Sequence, residues 1–212
     1  MSVLPTVGGN LRPRIEAEAA LPTRFGRFRI VSFSHLCDGR EHVAIVRGSV
    51  RGAHHTPVRM HSECLTGDAF ASLRCDCREQ LELSLERLAS REAGVVLYMR
   101  QEGRGIGLGN KVRAYQLQDC GLDTVDANRA LGFRDDERDY AAAAEMLGCL
   151  GIPSVDLMTN NPDKIAQLTR YGVQVASRVP HQVPPTTHNR AYLETKQRRS
   201  GHMLNLAASD GV

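Results

Sequence analysis

The chain has 212 residues, 42% hydrophobic and 24% charged, with 19 Gly and 9 Pro, which is ordinary globular usage and excludes collagen-like, low-complexity and disordered classes. Lys and Arg outnumber Asp and Glu by only 27 to 24, and aromatic residues make up 5% with no Trp, so no nucleic-acid partner is expected. No run approaches the roughly 18 to 20 apolar residues of a membrane helix, and Met1 to Arg14 lacks the apolar core of a secretory leader, so the expectation is a soluble cytoplasmic protein without a membrane partner.

Residues 1–16 carry Pro5, Gly8, Gly9 and Pro13 with little periodicity and read as a flexible N-terminal extension. Phe28 to Phe33 and Val43 to Val46 are short β-prone pieces separated by the polar turn 37–40, which predicts an antiparallel meander, and Val58 with Met60 adds another alternating piece. After Cys77 the period becomes helical, with Leu81, Leu85 and Leu88 on one face and Gly94 as a stop. Val95 to Met99 is a continuous apolar run, as expected for a strand buried on both faces. A Gly-rich segment, 101–110, precedes a helix over Lys111 to Asp119 that ends near Gly121. A helix over Asp139 to Leu150, a strand over Val155 to Met158, a turn at 159–162, a helix over Asp163 to Tyr171 and a strand over Val173 to Val179 follow. Alternating strands and helices imply parallel pairing through crossovers. The predicted class is α/β: N-terminal antiparallel strands leading into a layered α/β/α core with a mixed, partly parallel sheet. The tail from Pro180 onward yields no assignment.

Of the six cysteines, Cys64, Cys75 and Cys77 cluster as C-x10-C-x-C. A structural zinc site closes with four protein ligands, whereas three leave one position open for water, which is the catalytic arrangement. Buried thiols are the alternative, and His61 is either a fourth ligand or a satisfied polar residue. The glycine segment has the spacing G-x-G-x-G-x-G, which fits neither dinucleotide nor P-loop fingerprints, and leaves Arg104 and Lys111 as cations for a phosphate. The acidic run Asp135 to Asp139 precedes a helix, where its dipole alone accounts for carboxylates. Thr159-Asn160-Asn161-Pro162 is a strand-to-helix turn with Pro early in the helix.

Four runs, HSECLTGDAFASLRCDC, RQEGRGIGLGNKVRAYQLQD, DTVDANRALGFRDDERDY and LMTNNPDK, stand in an order that resembles the GTP cyclohydrolase II family. The resemblance covers residues 17–204 as a single catalytic domain, leaving 205–212 as a flexible tail. It implies an enzyme that opens the imidazole ring of GTP in the first step of riboflavin biosynthesis, releasing formate and the β and γ phosphates. Cys64, Cys75 and Cys77 match the zinc ligands. Arg59, Met60, His61, Ser62 and Glu63 match GTP-contacting positions, as do Gln80, Glu102, Gly103 and Arg104, and then Thr124, Thr159 and Lys164. Asp136 matches the proton acceptor, Tyr115 a residue near the reacting purine, and Arg138 a nucleophile toward the α-phosphate. A guanidinium stays protonated, so phosphate clamping is the alternative role for Arg138. The resemblance further implies Mg²⁺ on the substrate phosphates and a homodimer. Met60 and Met99 stand where family members often carry Val and His. A variant that stops at the formamide and a non-catalytic zinc module are the competing readings.

Overall fold

In the computed structural model, which describes residues 12–206, the first three strands form an antiparallel ribbon: β1 (Arg14–Thr23), β2 (Gly26–Ser34) and β3 (Val43–Arg47). Along β2 the alternation works on both faces, since Val31 and Phe33 join one apolar cluster and Phe28 the other. β1 pairs Arg14 with Ser34 and Ile15 with Phe33, so residues 14–16, expected to belong to a flexible extension, are part of a strand. Residues 1–11 and 207–212 lie outside the described residues.

β4 (Thr56–Ser62), α1 (Leu65–Asp68), α2 (Cys77–Ala89) and β5 (Gly94–Met99) make the first crossover unit, with β4 and β5 parallel. A 3-10 turn (Glu102–Gly105), α3 (Leu108–Asp119), α4 (Thr124–Ala130) and α5 (Ala141–Leu150) lead to β6 (Ser154–Met158). Then come α6 (Pro162–Arg170), β7 (Gln174–Val179) and α7 (Arg190–Ser200). The seven strands form one sheet in the order β1-β2-β3-β5-β4-β6-β7, antiparallel from β1 to β5 and parallel from β5 to β7. The mixed sheet of the sequence reading is therefore present. The Val58–Met60 piece, grouped there with the meander, instead sits centrally between β5 and β6 and runs parallel to both, because its partners come from strands distant in sequence.

Packing follows the alternation of β5: Val95, Leu97 and Met99 face the cluster built on α5 and α6, while Val96 faces α2 through Leu85 and Leu88. This is the helix-on-both-faces layering that a doubly buried strand requires. Gly94 is not the helix stop. α2 ends at Ala89, and a Cβ at Gly94 would lie 2.4 Å from Leu88 Cδ2, so the glycine lets β5 run beneath that leucine. Among the described residues no helix is long and apolar enough to cross a membrane.

Candidate active site

The carboxyl ends of β4, β5 and β6 lie side by side, the position where open α/β sheets bind ligands. Strand alternation then sorts β4: Val58 and Met60 enter the core, while Arg59 reaches Gln80 of α2 and His61 reaches Asp68 of α1. Met60 can therefore meet a ligand only through its backbone, whose carbonyl accepts from Lys164 Nζ at 2.8 Å. Two adjoining compartments open at this edge and share Ser62, Cys77, Arg104, Arg138 and Tyr192.

The first compartment holds the cysteines. Cys64 ends β4's exit, Cys75 and Cys77 lead into α2, and their three sulfurs lie within 4.8 Å of one another, with Cys64 and Cys75 3.7 Å apart. Tetrahedral zinc with Zn–S of about 2.3 Å places sulfur pairs about 3.8 Å apart, so the spacing fits that ion. Hydrogen bonds from the Cys75 and Cys77 thiols hold Cys64 as a thiolate despite burial, with Lys111 adding its charge. Gly67 makes the crowding possible, since a Cβ there would lie 2.9 Å from Cys75 Sγ and 3.2 Å from Cys64 Sγ. His61 is not part of the group: its Nε2 sits 3.0 Å from both carboxylate oxygens of Asp68, which also accepts from the Cys64 N–H and Tyr98.

Lys111 is not a solvated phosphate cation. Its Nζ lies 3.1 Å from Cys64 Sγ and 2.7 Å from Glu102 Oε1, and although burial opposes its charge, Glu102 and the Cys64 thiolate hold it protonated. Glu102 also accepts from the Leu65 N–H at 2.6 Å, so it ties the cysteine loop to the glycine segment. That segment turns through φ 63° at Gly103 and 60° at Arg104, and a Cβ at Gly105 would meet Glu137 backbone at 3.1 Å. The glycines thus serve a sharp turn packed against the acidic run. Tyr115, one turn beyond Lys111 on α3, brings its hydroxyl 3.3 Å from that of Thr66, which lies 3.7 Å from Cys64 Sγ. Burial raises its pKa, leaving the phenol a donor. Glu63 and Thr124 line the same compartment.

The second compartment is cationic. Arg59, Arg138 and Lys164 converge there with Lys196 of α7, against Asp76 and Asp136. Burial, then the charges of Arg59 and Arg138, hold the Lys164 pKa well below its ordinary value, and burial brings that of Arg59 down to about 10. Arg59 Nε and His61 Nδ1 are buried with no partner among the described residues. Nδ1 is the acceptor of a neutral ring whose Nε2 donates to Asp68, and Arg59 Nε is the unpaired donor; a site that concentrates cations and leaves a guanidinium N–H unpaired suits a polyanion. Thr159 and Gln80 complete the wall, Gln80 by joining Arg59 to Asp76.

The acidic run caps α5 only through its last member: Asp139 accepts from the Ala141 N–H at 2.7 Å, while the other carboxylates are committed elsewhere, Asp135 to Arg129 at 2.7 Å, Glu137 to Arg134, and Asp136 to Arg138. The strand-to-helix turn behaves as read, with Asn161 accepting from the Asp163 N–H at 3.0 Å and Pro162 opening α6. Sequence reasoning overlooked Asp76, Lys196 and Tyr192. Asp76 was discoverable as the residue inside C-x-C, while the other two stand in a tail without apolar periodicity.

The chain matches the family model described as GTP cyclohydrolase II over residues 14–180. A "Riboflavin biosynthesis protein RibBA" of Endomicrobium trichonymphae is 53% identical over 87% of this chain and 46% of its own length. The protein of that name from Bacillus mycoides is 52% identical over 90% of this chain and 48% of its own. The chain thus spans about half the length of the curated relatives it matches. RibBX, a two-domain 3,4-dihydroxy-2-butanone 4-phosphate synthase from A. baumannii, aligns over 81% of this chain and 40% of its own at 16% identity, with a TM-score of 0.45. The match runs from the first strand to the last of the sheet and carries the cysteine loop, the glycine turn and the acidic run with it: the chain belongs to the GTP cyclohydrolase II family.

Proposed function

We propose that this chain opens the guanine imidazole ring of GTP by hydrolysis, releasing formate and the β and γ phosphates, as pyrophosphate or phosphate. The product is the diamino-hydroxy phosphoribosylaminopyrimidine that begins riboflavin biosynthesis. The observation that carries this reading is the junction of two unlike compartments, a three-thiol cluster and a cation-rich pocket, through Ser62, Arg104 and Arg138. A nucleoside triphosphate has this polarity: a neutral base at one end and a polyanion at the other. A non-catalytic zinc module has no use for the second compartment.

Zinc held by Cys64, Cys75 and Cys77 supplies Lewis acidity and an acidified water when bound. The chain's own residues do the rest. Arg59, Lys164 and Arg138 bind the phosphates, and the approach of that anion favours the charged form of Lys164, which burial and neighbouring cations suppress. Burial pushes the Asp136 pKa up, but its bonds to Arg138 outweigh this and keep it ionised, able to accept a proton. Glu63 and Thr124 border the base, with Gly103 approaching as bare backbone and Glu102 fixing the loop that carries Cys64. Mg²⁺ on the substrate phosphates, a homodimer, a cytoplasmic setting and a single domain over 17–204 belong to the same reading, supported by the family to which the chain belongs.

Incubating the zinc-loaded chain with GTP and resolving products by mass spectrometry should yield formate and the diaminopyrimidine in equal amounts; intact GTP after prolonged incubation rejects the reading. Tyr115→Phe separates the nearest alternative. Removing one positioned donor typically slows a step by roughly a hundredfold to a thousandfold, so formate release should fall by that factor while GTP affinity stays near the parent's. Parental formate release in this variant removes Tyr115 from the chemistry.

A further inference from the structure

The family match ends at residue 180, yet one wall of the cationic compartment is built from α7 and the residues that follow it. This segment is fastened at three places. Arg199 pairs with Asp126 of α4 at 2.8 Å, and Lys196 Nζ lies 3.1 Å from Asp76, the residue between two of the thiols. Past α7 the chain reverses at Gly201, φ 63°, and the Met203 N–H donates to the Asn160 carbonyl at 2.9 Å in the turn after β6. These anchors run from the cysteine compartment to the turn that leads into α6 and Lys164.

The segment brings one new cation. The Lys196 side chain is 13% exposed, with its Nζ 4.2 Å from the Tyr192 ring centroid, and it lines the pocket beside Arg59, Arg138 and Lys164. Asp76 pairs with Lys196 and also faces the Arg59 charge, so one carboxylate is shared between two cations. Arg138 pairs with Asp136 and Lys196 with Asp76, while Arg59, Arg104 and Lys164 bond to neutral acceptors, the Met158, Asp135 and Met60 carbonyls and the Gln80 amide, so basic side chains outnumber carboxylates around the open volume. His202 lines the same volume, but burial lowers its pKa to about 3, so it adds polarity and not charge.

We propose that α7 and the residues up to Leu204 form a substrate-binding wall, in which Lys196 binds the terminal phosphates of a nucleoside triphosphate. This deepens the GTP reading and rests on it. Lysine suits the role as a compact point charge for phosphate, held in place here by Asp76 and Tyr192. A purely structural Lys196, serving only Asp76, is the competing account.

The test uses the zinc-loaded full chain in equilibrium titrations with GMP and with a GTP analogue whose α–β bridging oxygen is a methylene. Lys196→Ala should weaken the analogue by roughly tenfold to a hundredfold, the worth of one charge-assisted bond, and leave GMP within about twofold. Lys196→Gln, which keeps a donor for Asp76 without the charge, should lose analogue affinity just as Ala does, and Lys196→Arg should recover most of it. Equal weakening of GMP and the analogue, or parental affinity in the Gln variant, makes Lys196 structural and overturns the proposal. A parent chain that binds neither nucleotide overturns the GTP reading itself.

Discussion

Cys75→Ser should strip the purified chain of zinc and abolish formate release from GTP. Three sulfurs within 4.8 Å of one another form a preorganised cage, and Gly67 keeps the space clear that they occupy. A serine hydroxyl is shorter, is not ionised at neutral pH and is a poor ligand for a borderline-soft ion, so the variant retains two ligands where even a catalytic site needs three. The change removes a thiol whose pKa stands raised to about 11 beside the Cys64 thiolate, so it disturbs the local charge little in the metal-free chain, and the fold should survive. Cys149→Ser, at a half-buried cysteine of α5 outside the cluster, is the matched control and should keep parental zinc and activity. Elemental analysis of both variants settles the point: full zinc occupancy in Cys75→Ser means that the ion is held elsewhere.

The cysteine cage was legible in the sequence because C-x10-C-x-C is local: a short helix and a turn suffice to bring its members together. What held them was less visible. Lys111 reads as a loop cation, and only the packing of α3 against the 3-10 turn puts its Nζ on Cys64 and Glu102. The acidic run reads as a helix cap, which holds for Asp139 alone: the partners Arg129, Arg134 and Arg138 of the other carboxylates lie within a few residues, but which meets which depends on the turn geometry between α4 and α5.

Among the elements, the doubly buried β5 and the crossover helices were readable from continuous apolar runs and from a 3.6-residue period. β1 was missed because its sequence, RIEAEAALPT, is rich in Ala and Glu. It pairs only with β2, at the edge of the sheet, and leaves most of its side chains exposed. α7 was missed for the converse reason. In RAYLETKQRRS little is apolar apart from the buried Leu193, and the Lys196 and Arg199 ion pairs that also fasten the helix leave no periodic trace. β4 was seen as a strand and misplaced in the sheet, since strand order is decided by partners far along the chain and not by the strand's own residues.

Arg138→Ala should abolish release of the β and γ phosphates while leaving zinc bound. The guanidinium makes a paired contact with Asp136 through Nε and a terminal nitrogen, and its other terminal nitrogen points at Ser62 Oγ, 3.4 Å away, at the junction of the two compartments. Burial works against its charge, but Tyr140 and Asp136 more than compensate and raise its pKa further. A group so firmly protonated has no lone pair to attack phosphorus, so the geometry favours clamping over nucleophilic catalysis. Arginines that stabilise a transferring phosphoryl group are worth roughly 10³-fold or more, which is the loss expected for Ala. Ala also leaves Asp136 without its partner, at a stability cost on the order of 1–3 kcal/mol. Arg138→Lys therefore accompanies it: this variant keeps a charge beside Asp136 without the paired geometry, and should retain phosphate release at an intermediate rate. Intact-mass analysis under turnover distinguishes the two roles directly. A clamp leaves no adduct on the parent chain, whereas a nucleophilic Arg138 would carry a covalent nucleotidyl group that is absent in both variants, and finding that adduct would restore the nucleophile assignment.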